Sequence, residues 1–177
     1  MPEEKPTLLL LTCCGPCATA CVERTAFDYD VTVFYYNPNI TDSEEYYLRK
    51  ENLEKFLRLF NEEYKDRTLV HYLEGRYEPE KYLERTAMLR YEEAARVAKA
   101  RNADYWTSTM SVSPHKNYDI LTKTGEELAA ESGTCYLPID FKKKNGFGRS
   151  VELSKKYGLY RQRFCGCDYA RYANAKG

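Results

Sequence analysis

The chain has 177 residues, 27 basic and 27 acidic side chains and 43% apolar residues, the length and composition of one globular domain with a sizeable core. No apolar run is long enough to span a bilayer, and the opening Met-Pro-Glu-Glu-Lys-Pro lacks the basic and apolar regions of an export signal, so no membrane is expected and the expected location is cytoplasmic. Seven cysteines in such a chain argue for metal or redox chemistry rather than a disulfide framework.

In chain order, the apolar run Leu8 to Leu11 within Thr7–Thr12 predicts a buried first strand. Gly15 and Pro16 break it, and a short helix follows over Ala18–Thr25. Asp30–Tyr36, β-branched and aromatic, predicts a second strand, ended by Asn37-Pro38-Asn39-Ile40 because proline cannot continue a ladder. Asp42 or Ser43 caps a long helix to about Tyr64 with Tyr47, Leu53, Phe56, Leu57 and Phe60 on its apolar face. Leu69–Leu73 predicts a third strand, Glu80–Arg101 a helix opened by Pro79, and Asp104–Met110 a fourth strand. Ser113-Pro114-His115-Lys116-Asn117 is the loop after it. A helix near Tyr118–Glu131, a fifth strand over Tyr136–Ile139 and a helix over Ser150–Tyr157, stopped at Gly158, complete the series. Alternating strands and helices predict a single α/β domain over residues 1–177: a Rossmann-like parallel sheet of about five strands, strand one central, with helices on both faces. In such a sheet every strand ends at one edge, so Cys13, Cys14 and Cys17, Asn37 to Asn39 and Ser113 to Asn117 are expected to meet there.

The cysteines fall into two tight groups at opposite ends of the chain, Cys13, Cys14 and Cys17 in Thr-Cys-Cys-Gly-Pro-Cys, and Cys165 and Cys167 in Cys-Gly-Cys. Zinc sites usually take Cys-x-x-Cys pairs, which this spacing fits poorly, whereas iron–sulfur clusters accept more irregular spacings. Cys21 and Cys135 are expected to be core thiols. His71, inside a strand, is expected to be packed; His115, in a loop at the functional edge, is the better site candidate. No glycine-rich phosphate loop is present. The part from 141 to 177 carries ten Lys or Arg against two acidic residues, a net +8 that leaves −8 for the other 140 residues. Such a basic end suits a polyanion, or is a solvated tail.

These blocks together resemble the cobalamin-independent epoxyqueuosine reductases of the QueH type. The resemblance runs from Leu8 almost to the C-terminus. It rests on Thr-Cys-Cys-Gly-Pro-Cys (12–17), on Tyr-Asn-Pro-Asn-Ile (36–40) with Glu45-Tyr46 and Arg49 beyond it, and on Ser-Thr-Met-Ser-Val-Ser-Pro-His-Lys-Asn (108–117). It continues through Asp140-Phe141-Lys142 and Gly-Leu-Tyr-Arg-Gln-Arg-Phe-Cys-Gly-Cys (158–167). It implies reduction of epoxyqueuosine to queuosine at the wobble position of tRNA, using a [4Fe-4S] cluster, a second iron ion and an electron donor not identifiable from sequence. The sequence departs from the family pattern in one place: Leu83 and Thr86 stand where the family carries a Cys-x-x-Cys. Either this member lacks those two ligands, and the five matching cysteines have to suffice with the help of an oxygen ligand such as Asp140, or residues of a loop are missing from the sequence there.

On this reading Cys13, Cys14, Cys17, Cys165 and Cys167 hold the metal, and His115, Asp140 and Tyr160 are candidate proton donors. Asn37, Asn39, Tyr46, Arg49, Ser113, Asn117, Arg161 and Gln162 are candidate substrate contacts, with Tyr36, Tyr46 and Phe164 available to stack on an unstacked base. The tRNA is expected on Lys142–Lys144, Arg149, Lys155 and Lys156. The alternative is a non-catalytic module in which the same thiols hold zinc and the basic tail binds RNA; a nucleotide-binding enzyme is disfavoured by the missing phosphate loop.

Overall fold

The computed structural model describes residues 3–79 and 86–161. Its central element is β1 (Thr7–Thr12), whose Leu8, Leu9, Leu10 and Leu11 are all buried. A parallel strand covered on both faces has no solvent side, so four consecutive leucines are what it requires, each contributing roughly 1.5–3 kcal/mol by burial. β2 (Asp30–Tyr35), β3 (His71–Glu74) and β4 (Tyr105–Ser108) complete a four-stranded sheet of order β3-β2-β1-β4, every pairing parallel.

The connecting helices form two layers. α1 (Gly15–Thr25), α2 (Ser43–Glu63) and, late in the chain, α5 (Gly146–Lys156) pack on the face that carries Leu8, Leu10, Val31 and Val33. α3 (Thr86–Ala100) and α4 (Tyr118–Ser132) cover the other face, around Leu9, Leu11, Phe34 and Trp106. The chain builds outward from β1 to β3 and then returns to β1's other side with β4. The direction of travel reverses there, at the C-terminal ends of β1 and β4, which is where ligands bind in open α/β sheets.

The expected strands and helices stand with local differences. α1 starts at Gly15 rather than Ala18, because Pro16 falls in its first turn, where a missing N–H costs nothing. β4 stops at Ser108, and Thr109–Val112 continues as a 3₁₀ turn. The expected fifth strand is a single bridge between Trp106 and Tyr136, held by Trp106 N to Cys135 O at 3.0 Å and Leu137 N to Trp106 O at 2.9 Å. Pro138, with no N–H to donate, ends the ladder there. α5 begins four residues earlier than expected, after Lys144 and Asn145 in the left-handed region. A Cβ on Gly146 would lie 1.5 Å from the Phe141 carbonyl oxygen, so only glycine fits at that start. Residues 80–85, including Leu83 and the expected start of α3, lie outside the described residues. His71 is half-exposed and pairs with Asp30 at 3.5 Å rather than packing, because β3 is an edge strand. Cys135 is exposed rather than a core thiol.

Candidate metal centre

Three thiols are assembled where β1 becomes α1. Cys14, extended at φ −169° and ψ 168°, is the N-cap, and its Sγ accepts the Cys17 backbone N–H at 3.4 Å. Gly15 lets this turn press on α2: a Cβ there would lie 3.2 Å from the backbone carbonyl of Asn52. The Sγ atoms of Cys13, Cys14 and Cys17 lie within 4.8 Å of one another, with Cys13 and Cys14 3.8 Å apart. Cys14 is buried and the other two are half-buried. Cys21, one turn on, gives its S–H to the Cys17 carbonyl at 3.3 Å and stays in the core.

The three sulfurs share protons unequally. Hydrogen bonds from Cys14 and Cys17 hold the Cys13 thiol well below its ordinary range against the effect of burial, and the Arg90 and Arg49 guanidinium groups add to this. Burial pushes Cys14 up to about 12, reinforced by its bond to Cys13. Cys17 is raised well above its ordinary value by its bonds to Cys13 and Cys14 and by burial. A cation bound among them would favour deprotonation of all three.

The backbone under these thiols is pinned from several elements. Thr12 Oγ1 donates to the Cys14 carbonyl at 3.2 Å and accepts from Thr109 Oγ1 at 3.3 Å, tying the ends of β1 and β4. Asn37, 1% exposed, donates from Nδ2 to the carbonyls of Thr12 at 3.3 Å and Cys13 at 3.4 Å. Arg90, from α3, donates to Asn37 Oδ1 at 3.5 Å. Asn39 is buried in the same turn. Asn37 and Cys13 thus share one edge, as expected, but the Asn37 amide is spent on backbone.

On the other side, α2 carries Arg49, 1% exposed, with Nε on Glu45 Oε1 at 2.7 Å. Tyr160, more than a third exposed, donates its hydroxyl to Glu45 Oε2 at 3.3 Å and its backbone N–H to Asn52 Oδ1 at 2.9 Å. Lys55 Nζ binds the Gly158 carbonyl at 2.9 Å, and the Lys156 ammonium and Tyr157 hydroxyl both reach Glu63 at 2.7 Å. Residues 156–160 therefore run back along α2, from its C-terminal end toward the turn of Asn52 that abuts Gly15. Tyr46 is buried, its ring stacked on Tyr77 at 3.6 Å and its hydroxyl on Glu74 at 3.4 Å, so neither face is open to a base. Tyr36 stacks on Phe34 at 5.8 Å.

Among the remaining expected residues, Ser113, His115 and Asn117 lie in the loop between β4 and α4. Ser113 Oγ accepts from the His115 backbone N–H at 3.2 Å, and Asn117 Oδ1 caps α4 from the N–H groups of Asp119 and Ile120 at 2.9 and 3.2 Å. The His115 side chain is exposed. Ser111 Oγ donates to the Ile139 carbonyl at 3.0 Å and accepts from Phe141 N at 3.1 Å, holding Asp140 beside the turn after β4. Asp140 Oδ1 accepts from Lys142 N at 3.0 Å. The Arg161 guanidinium lies 5.7 Å from the Phe147 ring. Gln162, Phe164, Cys165 and Cys167 lie outside the described residues. Among the basic residues, Lys143, Lys144 and Lys155 are exposed, Lys142 Nζ binds the Lys116 carbonyl, and Arg149 and Lys156 pair with Glu23, Glu152 and Glu63. No helix among the described residues is long and apolar enough to cross a membrane.

The motif blocks contain Thr12, Glu45, Thr109 and Ser111, but the sequence reading gave them no role in the site, and it gave none to Arg90. A charge at a core-facing helical position was the available signal for Glu45 and Arg90: Glu45 and Arg49 lie on the side of α2 that buries Leu53 and Phe56, and Arg90 adjoins the buried Tyr91.

A family model described as "Epoxyqueuosine reductase QueH" matches residues 8–173. The chain is 35% identical over 182 residues to the epoxyqueuosine reductase QueH of Streptococcus pyogenes, covering 94% of this chain and 71% of that protein. The Staphylococcus epidermidis protein of the same name is 34% identical, with 94% and 77% covered. That of Thermotoga maritima is 29% identical, with 93% and 90% covered. With the match spanning the thiol turn, the buried arginines and nearly all the rest of the chain, this chain belongs to the epoxyqueuosine reductase QueH family.

Proposed function

We propose that this protein reduces epoxyqueuosine to queuosine at the anticodon wobble position of tRNA, with an iron–sulfur cluster and an adjacent iron held by its thiols. The observation that carries the reading is the trio Cys13, Cys14 and Cys17 at the switch point of the sheet, in a chain of this family. Removing the epoxide oxygen as water takes two electrons and two protons and leaves a carbon–carbon double bond. No protein side chain here is a low-potential one-electron donor, so the electrons come from an external reductant through a cofactor.

The donor set fits such a group. Three soft sulfurs within 4.8 Å suit iron–sulfur ligation, and a cationic surround favours several thiolates together. Three ligands leave positions unfilled. Residues 156–160 lie along α2 toward Asn52, beside the thiol turn, and Cys165 is five residues past Tyr160, a reach of up to roughly 17 Å. Cys165 and Cys167 complete the ligand set, with Asp140 as the candidate oxygen donor. Once bound, the iron group supplies single electrons and a Lewis-acid site for the epoxide oxygen.

The chain's own part is positioning and proton supply. Tyr160 is the proposed proton donor, a reading supported by its partial exposure to water and its hydroxyl on the buried Glu45. Asp140 and the exposed His115 imidazole offer further donors from the loops after β4. Arg161 and the exposed Lys143, Lys144 and Lys155 supply phosphate contacts for the tRNA, while Arg149 and Lys156, already paired with carboxylates, contribute less. The test is anaerobic incubation of the iron-loaded protein, a chemical reductant and epoxyqueuosine-containing tRNA without cobalamin, followed by mass spectrometry of the digested nucleosides. The expected result is conversion to queuosine by loss of one oxygen; intact epoxide with fully loaded protein would favour the zinc-binding module.

A further inference from the structure

The thiol turn is flanked by two buried guanidinium groups that arrive from opposite layers of the fold. Arg49 comes from α2, above one face of the sheet, and Arg90 from α3, on the other; they are 1% and 6% exposed. Burying an arginine costs several kcal/mol unless its charge is used, so two at one strand end require an account. Arg90 is separated from the Cys13 backbone by one side chain, since Asn37 accepts from Arg90 at 3.5 Å and donates to the Cys13 carbonyl at 3.4 Å. Arg49 is three residues before Asn52, whose backbone touches the Gly15 turn, and Glu45 fixes its guanidinium at 2.7 Å.

We infer that Arg49 and Arg90 are the built-in counter-charges of the thiol site, and that together with Glu45 they set how readily the bound cofactor accepts an electron. They are positioning residues. A site with several thiolates is anionic and becomes more so on reduction, so a fixed positive charge beside it favours the reduced form and a fixed negative charge opposes it. Arg49 and Arg90 raise the potential, and Glu45, on the same helix face, moderates it while holding Arg49 in place. The shielding is unequal in origin, one cation tethered by a carboxylate and the other by an amide.

This inference rests on the proposed iron–sulfur reading, and two measurements separate its failure from that reading's. The first is the midpoint potential of the iron- and sulfide-loaded protein in the Arg49→Gln, Arg90→Gln and Glu45→Gln variants, with Arg49→Lys and Arg90→Lys as rescues. Both arginine-to-glutamine changes are expected to shift the potential negative, the lysine variants to restore most of it, and Glu45→Gln to shift it positive. Opposite signs from neighbouring positions are something general loosening of the fold cannot produce. The second uses Cd²⁺ alone on iron-free protein, read by the sulfur-to-metal absorption band. Affinity should fall by about tenfold or more in each arginine-to-glutamine variant, as expected for one charge within about 12 Å at an effective dielectric near 20, and rise in Glu45→Gln. Protein that never binds iron and sulfide overturns the cofactor reading and leaves the Cd²⁺ series to decide this inference. Potentials and affinities that stay put, or that move in one direction for all three substitutions, overturn the inference itself. Where an arginine-to-glutamine variant does not fold, the corresponding arginine-to-lysine variant and the sign of the Glu45→Gln shift decide.

Discussion

Cys14→Ser is expected to remove nearly all bound iron and all epoxide reduction while leaving the fold intact. Cys14 is the most deeply placed of the three thiols, its Sγ 3.8 Å from Cys13 Sγ and accepting the backbone N–H of Cys17. Its second role is the N-cap of α1. Serine is among the best N-cap residues, so the hydroxyl retains the capping bond. A neutral hydroxyl is a poor ligand for iron in a cluster, where thiolates are used. Iron per chain should therefore drop to near background with a melting temperature within a few degrees of wild type. Retention of wild-type iron would mean that Cys14 serves only as a cap, and would remove the trio as the metal centre.

The second large effect is expected from Asn37→Ala. Asn37 satisfies two backbone carbonyls and a buried guanidinium at once. Truncation leaves them without that partner in a site closed to water, at a cost of roughly 2–4 kcal/mol, since each buried unsatisfied group costs about 1–3 kcal/mol. The loss falls on the strand end that presents Cys13, so metal retention should weaken together with stability. A residue that merely touched substrate would behave differently, raising KM with stability and iron unchanged. Thermal unfolding and iron analysis of the same preparation, followed by steady-state kinetics, tell the two apart.

Much of the fold was legible because it is written in local terms. Four leucines between a hydroxyl and a Cys-Cys-Gly-Pro turn leave little choice but a buried parallel strand, and Asp42 at a helix start is a cap with a mechanism. Boundaries failed where two rules competed. Pro16 reads as a breaker after a strand and as a first-turn residue before a helix, and the cap at Cys14 decides for the second. Pro138 reduced a strand to a bridge although the residues before it have strand character. The thiol trio was legible from spacing alone.

Its surroundings were not, because a buried charge is invisible in a sequence until the opposing layers are known. Arg90 reads as an ordinary residue of a charged helix until α3 packs against the sheet and aims it at Asn37. The residues nominated for substrate divide for the same reason. Asn37, Ser113 and Asn117 have amides or hydroxyls directed at backbone groups, and Tyr46 has its ring covered by Tyr77. Tyr160, Arg161 and His115 keep exposed surface for a partner.

The claim that the two ends of the chain close one iron–sulfur centre is tested most directly by counting iron and acid-labile sulfide per chain in protein purified without oxygen. The comparison is wild type against Cys165→Ser and Cys167→Ser. The account predicts brown wild-type protein with both elements bound, and a marked loss of both in each variant, because three thiols at the end of β1 cannot complete the ligand set alone. Colourless wild-type protein holding zinc, or iron and sulfide unchanged in both variants, would contradict it.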